Sequence, residues 1–152
     1  MTESITASGK SSTDLNDFNA LIKNETLLEV NENLKLISND MGLKFGTDSY
    51  LLSAFAKKSQ GTCLELGGGT GIISLLCASK NKYKHIYTAE IQEYYYDLIL
   101  RNVSLNKLED KITPIHKDIR NLTVNDINEE ASVIITNPPY MKSTAGKKNT
   151  SS

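Results

Sequence analysis

The run Cys63-Leu64-Glu65-Leu66-Gly67-Gly68-Gly69-Thr70-Gly71-Ile72-Ile73 restricts what this chain can fold into more than any other stretch. Leu64 and Leu66 lie in a short apolar segment bounded by Gly61 on one side and by glycines on the other, the pattern of a buried strand. Gly67, Gly69 and Gly71 then follow a G-x-G-x-G spacing, and glycine is needed where the backbone takes a positive φ or approaches a ligand closely. Ile72 to about Ser79 continues as a helix whose first amides face whatever lies over the turn. Such a unit predicts an α/β sheet with a cofactor crevice at the carboxyl end of the strand. The alternative is a tight strand-to-helix turn that holds no ligand.

One position narrows the ligand class. The pyrophosphate fingerprint G-x-G-x-x-G/A asks for a third small residue. Counted from Gly67 and Gly69, that place is taken by Ile72, which argues against NAD or FAD. A glycine turn preceded by an acidic residue, here Glu65, resembles instead the first motif of the S-adenosylmethionine (SAM) methyltransferases.

The strand–helix pattern then repeats. His85 to Glu90 reads as a second strand and Gln92 to about Asn106 as a helix with Tyr95, Leu98, Ile99, Val103 and Leu105 on its apolar side. Lys111 to His116 is a third strand, and Pro114 places it at a sheet edge. Leu122 to Glu130 reads as a short helix. Ala131 to Thr136 is a fourth strand, whose apolar centre Val133-Ile134-Ile135 suits cover on both faces. Alternating strands and helices imply a parallel sheet with right-handed crossovers.

Upstream, Thr26 to Val30 and Leu34 to Ile37 flank Asn31-Glu32-Asn33 and predict a hairpin. Thr47 or Asp48 can cap a helix running to about Lys58, with Leu51, Leu52 and Phe55 as its apolar face. Residues 1–24 then form a flexible tail, 25–60 the hairpin and helix, 61–141 the cofactor-binding core, and 142–152 a mobile loop or tail. Lys142, Lys147 and Lys148 in that last segment either meet phosphates or form a solvated tail.

A chain of 152 residues with 39% hydrophobic and 23% charged content suits one globular domain. No apolar run approaches the roughly 20 residues of a membrane span. Met1 to Lys10 lacks the apolar centre of a secretion signal. A net charge of -1 advertises no polyanion partner but leaves room for a local basic patch. Cys63 and Cys77 lack metal-ligand spacing to each other or to His85 and His116, so buried reduced thiols, no metal site and a cytoplasmic location are expected.

Acidic residues stand at strand ends, where ligand groups gather in such sheets. Glu90 closes the second strand about 20 residues beyond the glycines, the position from which one carboxylate accepts both hydroxyls of a ribose. Otherwise it caps the next helix. Asp118, after the third strand, can accept from an adenine amino group while the Ile119 amide donates to a ring nitrogen. The competing role is an Asx turn.

Asn137-Pro138-Pro139-Tyr140 follows the fourth strand directly. Two prolines fix φ twice and remove two donors, leaving their carbonyls as acceptors. A planar amino group is a poor nucleophile because its lone pair is delocalised. The Asn137 side-chain oxygen and the Pro138 carbonyl can hold both of its N–H bonds and steady the charge that grows on nitrogen. Tyr140 can stack on the plane of the acceptor. The alternative is a rigid turn after a strand.

Glu65 to Gly71, Glu90, Asp118 and Asn137 to Tyr140 together resemble the amino-group methyltransferases. Phe45-Gly46-Thr47-Asp48-Ser49-Tyr50-Leu51-Leu52 and Arg101-Asn102-Val103-Ser104-Leu105-Asn106 are similar to the bacterial tRNA1(Val) (adenine(37)-N6)-methyltransferases. The resemblance runs from about Leu34 to Tyr140. It implies a Rossmann-like SAM-dependent methyltransferase sheet, of which this chain carries the first four parallel strands, preceded by the hairpin and helix. It implies that Gly67, Gly69 and Gly71 wrap the methionine end of SAM, that Glu90 takes the ribose and Asp118 with Ile119 the adenine, and that Phe45, Gly46, Thr47 and Asp48 close the pocket. Asn137 to Tyr140 would be catalytic, and a flipped or single-stranded tRNA adenine would be the substrate. Family members continue for three further strands, so a C-terminally truncated chain is expected. The same tetrapeptide occurs in release-factor glutamine methyltransferases, which keeps a protein amide open as acceptor, and an inert SAM- or RNA-binding fragment is the third reading.

Overall fold

The computed structural model describes residues 21, 22, 24–40 and 46–139. Strands β1 (Glu25–Asn31) and β2 (Leu34–Asn39) form an antiparallel hairpin that pairs Leu28 with Leu36 and Leu27 with Ile37. The Asn31 side chain accepts from the Asn33 amide at 2.9 Å and closes the turn. Strands β3 (Thr62–Leu66), β4 (His85–Glu90), β5 (Ile112–His116) and β6 (Ala131–Thr136) form a parallel sheet in the order β5-β4-β3-β6. Helices α1 (Thr47–Phe55), α2 (Ile72–Ser79) and α3 (Glu93–Leu105) complete the regular structure. The expected parallel α/β sheet, its preceding hairpin and the edge position of the Pro114 strand are all present.

The strand order fixes where a ligand can enter. From β3 the chain steps outward through α2 to β4 and through α3 to β5, then returns to lay β6 on the other side of β3. That reversal at β3 is a topological switch point, with a crevice at the carboxyl ends of the strands.

Every residue of α2 from Ile72 to Ala78 is buried. Its sequence is apolar nearly all round because it lies between the sheet and other elements. One core cluster joins it to Leu34 and Leu36 of the hairpin, to Cys63, Ile86, Ile112 and Ile135 of the sheet, and to Ile99 and Val103 of α3. A smaller cluster of Leu64, Tyr87 and Ile127 occupies the opposite sheet face. Both cysteines are buried and unbridged, and burial pushes their thiols up to about 12 (Cys63) and about 11 (Cys77).

Polar side chains fasten the hairpin to this core. Asn102 of α3 is fully buried. Its oxygen accepts from the Ile37 amide at 2.6 Å, and its nitrogen donates to the carbonyls of Ile37 at 3.0 Å and Thr70 at 2.9 Å. One turn later, Asn106 accepts from the Lys35 amide at 2.9 Å and donates to the Lys35 carbonyl at 2.7 Å. Two carboxamides at i, i+4 thus bond β2 along its edge as a third strand would. Beyond them, Arg101 grips Glu25 with two bonds of 2.7 Å, and the Tyr94 hydroxyl donates to the same carboxylate at 2.8 Å.

Four expectations are corrected. The 122–130 segment is not a helix. It and the residues before it hold two 3-10 turns, Ile119–Asn121 and Val124–Asp126, the second closed by a reciprocal Thr123–Asp126 capping box. Asn, Asp and β-branched residues there favour local side-chain bonds over a continued helix. Helix α1 begins after Gly46, with neither Thr47 nor Asp48 as cap. It ends at Phe55, where Lys82 Nζ donates to the carbonyls of Ala54 and Ala56. Its expected apolar face is largely outward: Leu51 is 49% and Phe55 83% exposed, while Ser49 and Ser53 are buried. Small serines let α1 approach α2 closely, and the Ser53 hydroxyl is satisfied by the Tyr50 carbonyl at 2.9 Å. Finally, β6 is not covered on both faces, since Ile134 is 62% exposed. Of the tails expected over residues 1–24 and 142–152, only residues 21, 22 and 24 are described, and there the Asn24 carbonyl accepts from the Asp40 amide at 3.0 Å.

Replacing Asn102 by alanine strands the amide and carbonyl of Ile37 and the carbonyl of Thr70 in a buried place. Asn102→Ala is therefore expected to lower the unfolding free energy by about 3 kcal/mol, measured by urea denaturation. A loss below about 1 kcal/mol, no more than one ordinary hydrogen bond, would show that the carboxamide does not hold these segments together.

Candidate active site

At the carboxyl end of β3 the backbone turns with positive φ at Gly67, Gly69 and Gly71 (75°, 56° and 83°). Gly68 between them has a different reason to lack a side chain: a Cβ there would lie 2.2 Å from Thr88 Cγ2. The turn is thereby pressed onto β4. Its amides are spent inside the protein. Gly67 and Gly68 donate to the Ala89 carbonyl at 2.9 and 3.1 Å, and Gly71 donates to the Gly68 carbonyl at 2.8 Å. Gly69 donates to Glu90 Oε2 at 2.9 Å, and Gln92 donates to Glu90 Oε1 at 2.9 Å. A phosphate would find few donors here, unlike in a dinucleotide or P-loop cradle.

Beside the turn lies a cavity of about 430 Å³, a size suited to a small-molecule cofactor. It is lined by Gly46, Asp48 and Ser49 at the start of α1, by Glu65 and the 67–70 turn, by Glu90, Gln92 and Tyr95, and by Asn137, Pro138 and Pro139 after β6. Among the described residues, no lysine, arginine or histidine lines it, whereas three carboxylates do. The electrostatic preference is for a cation. Thr136 Oγ1 donates to the Leu66 carbonyl at 3.1 Å, tying the end of β6 to the end of β3 and setting Asn137 opposite the glycine turn.

Glu65 is 2% exposed. Its carboxylate accepts from the Ser74 hydroxyl and amide in the first turn of α2 and from Thr88 Oγ1 at 3.5 Å. It thus braces strand to helix beneath the glycine turn. Burial pushes it up to about 7, against the downward pull of Ser74 and Thr88, and the nearby Glu90 charge adds to the rise.

Gly46, Asp48, Glu65, Gly67, Gly69, Glu90, Asn137, Pro138 and Pro139 therefore share one cavity. Thr47, Gly71, Asp118 and Ile119 do not line it. Asp118 caps a 3-10 turn through the Arg120 amide at 2.9 Å and pairs with the Arg120 side chain, which holds its carboxyl down at about 2. Phe45 and Tyr140 lie outside the described residues. Ser49, Gln92 and Tyr95 are lining residues that motif reading does not single out. Gln92 and Tyr95 were legible in principle, because the first turn after an acidic strand end must border the same crevice.

The profile of the methyltransferase small domain matches residues 38–152. The chain belongs to that family. Over 102 residues it is 35% identical to the tRNA1(Val) (adenine(37)-N6)-methyltransferase of Histophilus somni, covering 66% of this chain and 43% of that protein. Over 120 residues it is 32% identical to the ribosomal protein L11 methyltransferase of Carboxydothermus hydrogenoformans, covering 74% of this chain and 38% of that protein. The chain thus spans about two fifths of the length of these relatives. Among solved structures, the tRNA m1G37 methyltransferase of M. jannaschii superposes with a TM-score of 0.54 at 26% identity, over 66% of this chain and 32% of that one. The Rossmann-like methyltransferase sheet expected from the motifs is the fold observed.

Because folding raises Glu65 from its ordinary 4.5 to about 7, the folded chain keeps a proton between those values that the unfolded chain has released. Stability at this group is complete below about pH 4.5 and falls as pH rises through about 7. The groups held below their ordinary values, among them Glu25, Asp118 and Asp126, act on the acid side of that window. Glu65→Gln, with nothing to titrate, is expected to flatten the decline of unfolding free energy between about pH 5 and 8. Parallel urea-denaturation profiles for the two proteins would show that Glu65 is already ionised at the lower end.

Proposed function

We propose that this protein belongs to a SAM-dependent methyltransferase that modifies the exocyclic N6 of an adenine in tRNA, at anticodon-loop position 37. The cofactor is S-adenosylmethionine. The observation that carries the reading is the shared cavity: the Asn137-Pro138-Pro139 turn faces the same acid-lined space as the glycine turn and Glu90. The inward carboxylates and the spent loop amides suit a sulfonium cation and disfavour a pyrophosphate. The similarity to the H. somni tRNA1(Val) enzyme supports adenine N6 as the acceptor.

When bound, SAM supplies an electrophilic methyl group on sulfur. This chain's residues do the rest. Glu90 keeps one lone pair on each oxygen beyond those engaged by Gly69 and Gln92, and these accept the ribose hydroxyls. Asp118, which pairs with Arg120 outside the cavity, would have to release that side chain to accept the adenine amino group beside the Ile119 amide. Asn137 Oδ1 and the Pro138 carbonyl accept the two N–H bonds of the substrate amine, orient its nitrogen toward the methyl and stabilise its growing positive charge. Tyr140 stacks on the acceptor ring. No covalent nucleophile is required.

A second reading, transfer to a protein, draws on the similarity to the L11 methyltransferase. Incubation of the protein with methyl-labelled SAM and either tRNA or protein extract separates the two. The expected product is N6-methyladenosine in tRNA, and label confined to protein would overturn the adenine assignment.

Asn137→Ala is expected to reduce turnover at least about a hundredfold, the scale of losing an aligned transition-state partner, while SAM affinity in calorimetry stays within a few-fold. Glu90→Ala is expected to weaken SAM binding by about tenfold to a hundredfold, the worth of hydrogen bonds to a charged group. Unchanged turnover in the first variant would remove the tetrapeptide from the chemistry.

A further inference from the structure

Helix α1 is amphipathic the wrong way round. Successive positions on its outward side are Tyr50, Leu51, Ala54 and Phe55, with Tyr50 38%, Leu51 49% and Phe55 83% exposed. This apolar strip starts at the cavity, which Gly46, Asp48 and Ser49 line, and runs about 13 Å along nine residues. At its far end the chain becomes basic. Between Ser49 and Ala89 the only acidic residue is the buried Glu65, against Lys57, Lys58, Lys80, Lys82 and Lys84. The Ser59 amide donates to the Lys82 carbonyl at 2.9 Å, and Lys82 Nζ caps α1, so the end of the helix lies against the lysine-bearing 80–84 turn. Lys82 is committed to that cap and Lys84 pairs with Glu129 at 3.1 Å. Lys57, Lys58 and Lys80 are exposed and, among the described residues, make no ion pair.

We propose that the outward face of α1 is a docking strip for the single-stranded loop of the RNA substrate. Bases stack on Tyr50 and Phe55 while the phosphates meet Lys57, Lys58 and Lys80. The strand is thereby laid along α1 toward the cavity at its first turn. This proposal rests on the tRNA reading above. Charge decides between occupants. The chain as a whole carries -1, yet the exposed Lys57, Lys58 and Lys80 stand at the far end of α1, where the exposed Glu129 is already paired with Lys84, which suits a polyanion. Exposed aromatic rings beside lysines are the elements that bind single-stranded nucleic acid without reading its sequence.

The test uses the purified protein, a fluorescently labelled tRNA anticodon stem-loop and a salt series. Phe55→Ala is expected to weaken RNA binding by roughly fivefold to 150-fold, the effect of losing one stacked base. Lys57→Ala/Lys58→Ala is expected to lower affinity and to make the slope of log affinity against log salt shallower by about 1.4, two contacts on a single strand. None of these residues lines the cavity, so SAM affinity measured by calorimetry stays unchanged in both variants and confirms folding. RNA affinity and salt slope equal to wild type in both would overturn the docking strip and leave the tRNA reading standing. A wild-type protein that binds SAM but no RNA would overturn both. If Phe55→Ala instead dissociated a dimer in sedimentation with RNA affinity unchanged, the strip would be a contact between copies and the proposal would fall.

Discussion

The carboxamide of Asn102 joins three segments that are far apart in sequence: β2 through Ile37, the glycine turn through the Thr70 carbonyl, and α3 on which it sits. Each of these bonds is made in a place water does not reach, so each partner would be an orphan without it. The hairpin and the cofactor turn are therefore positioned by the same side chain. Through β2, that placement bears on where the chain re-enters at Gly46 and Asp48, on the wall of the cavity. Apolar packing of Leu34 and Leu36 drives the hairpin onto the core, but it is non-directional. The register of the hairpin on α3 comes from Asn102, Asn106 and the Arg101–Glu25 pair.

A second constraint follows at the cavity itself. The glycine turn uses its own amides to hold itself against β4 and Glu90. A loop closed in this way is rigid but offers little to an anion. The carboxylates supply the opposite sign, and they carry a cost, since Glu65 is almost fully buried and its ionisation is opposed by burial and by Glu90. Its bonds to the Ser74 hydroxyl and amide recover part of that cost and fix the start of α2 under the turn. The protein thus accepts a poorly solvated acid beside a cavity whose lining favours a cation, a local sacrifice of stability typical of binding sites.

The sheet was legible in the sequence because its strands are short apolar runs punctuated by glycine, proline and acidic residues, and their ends agree closely with those observed. The cavity residues at strand ends were legible for the same reason: topology alone sends them to one edge. What escaped was decided by tertiary contact. Leu51 and Phe55 look like a core face by period, yet two serines won the inner side of α1 because close helix contact there favours small residues over large ones. The 122–130 segment lost its helix to local capping by Thr123 and Asp126. Asn102 and Asn106 carried a readable signal. At helical spacing they fall between Leu98 and Ile99, in the middle of the apolar stripe, where an asparagine must be buying hydrogen bonds.

The two halves of the site are held unequally. The cofactor half is built from β3, β4, α2 and α3, and its framing residues are packed in the main core. The acceptor half hangs from β6, which pairs with β3 alone among the described strands and leaves Ile134 on an open face. Asn137 is aligned by the β3–β6 ladder and by the Thr136–Leu66 bond at 3.1 Å. Under the proposed function, cofactor binding and alignment of the acceptor amine would therefore draw on different interactions. The glycine turn's own bonds run to Ala89 and Glu90, on the opposite neighbour of β3, whereas Asn137 is reached through the Thr136–Leu66 bond at the root of the turn. An element that pairs with the outer edge of β6 would stiffen the strand that carries Asn137 and, under the proposed function, the contacts to the acceptor amine.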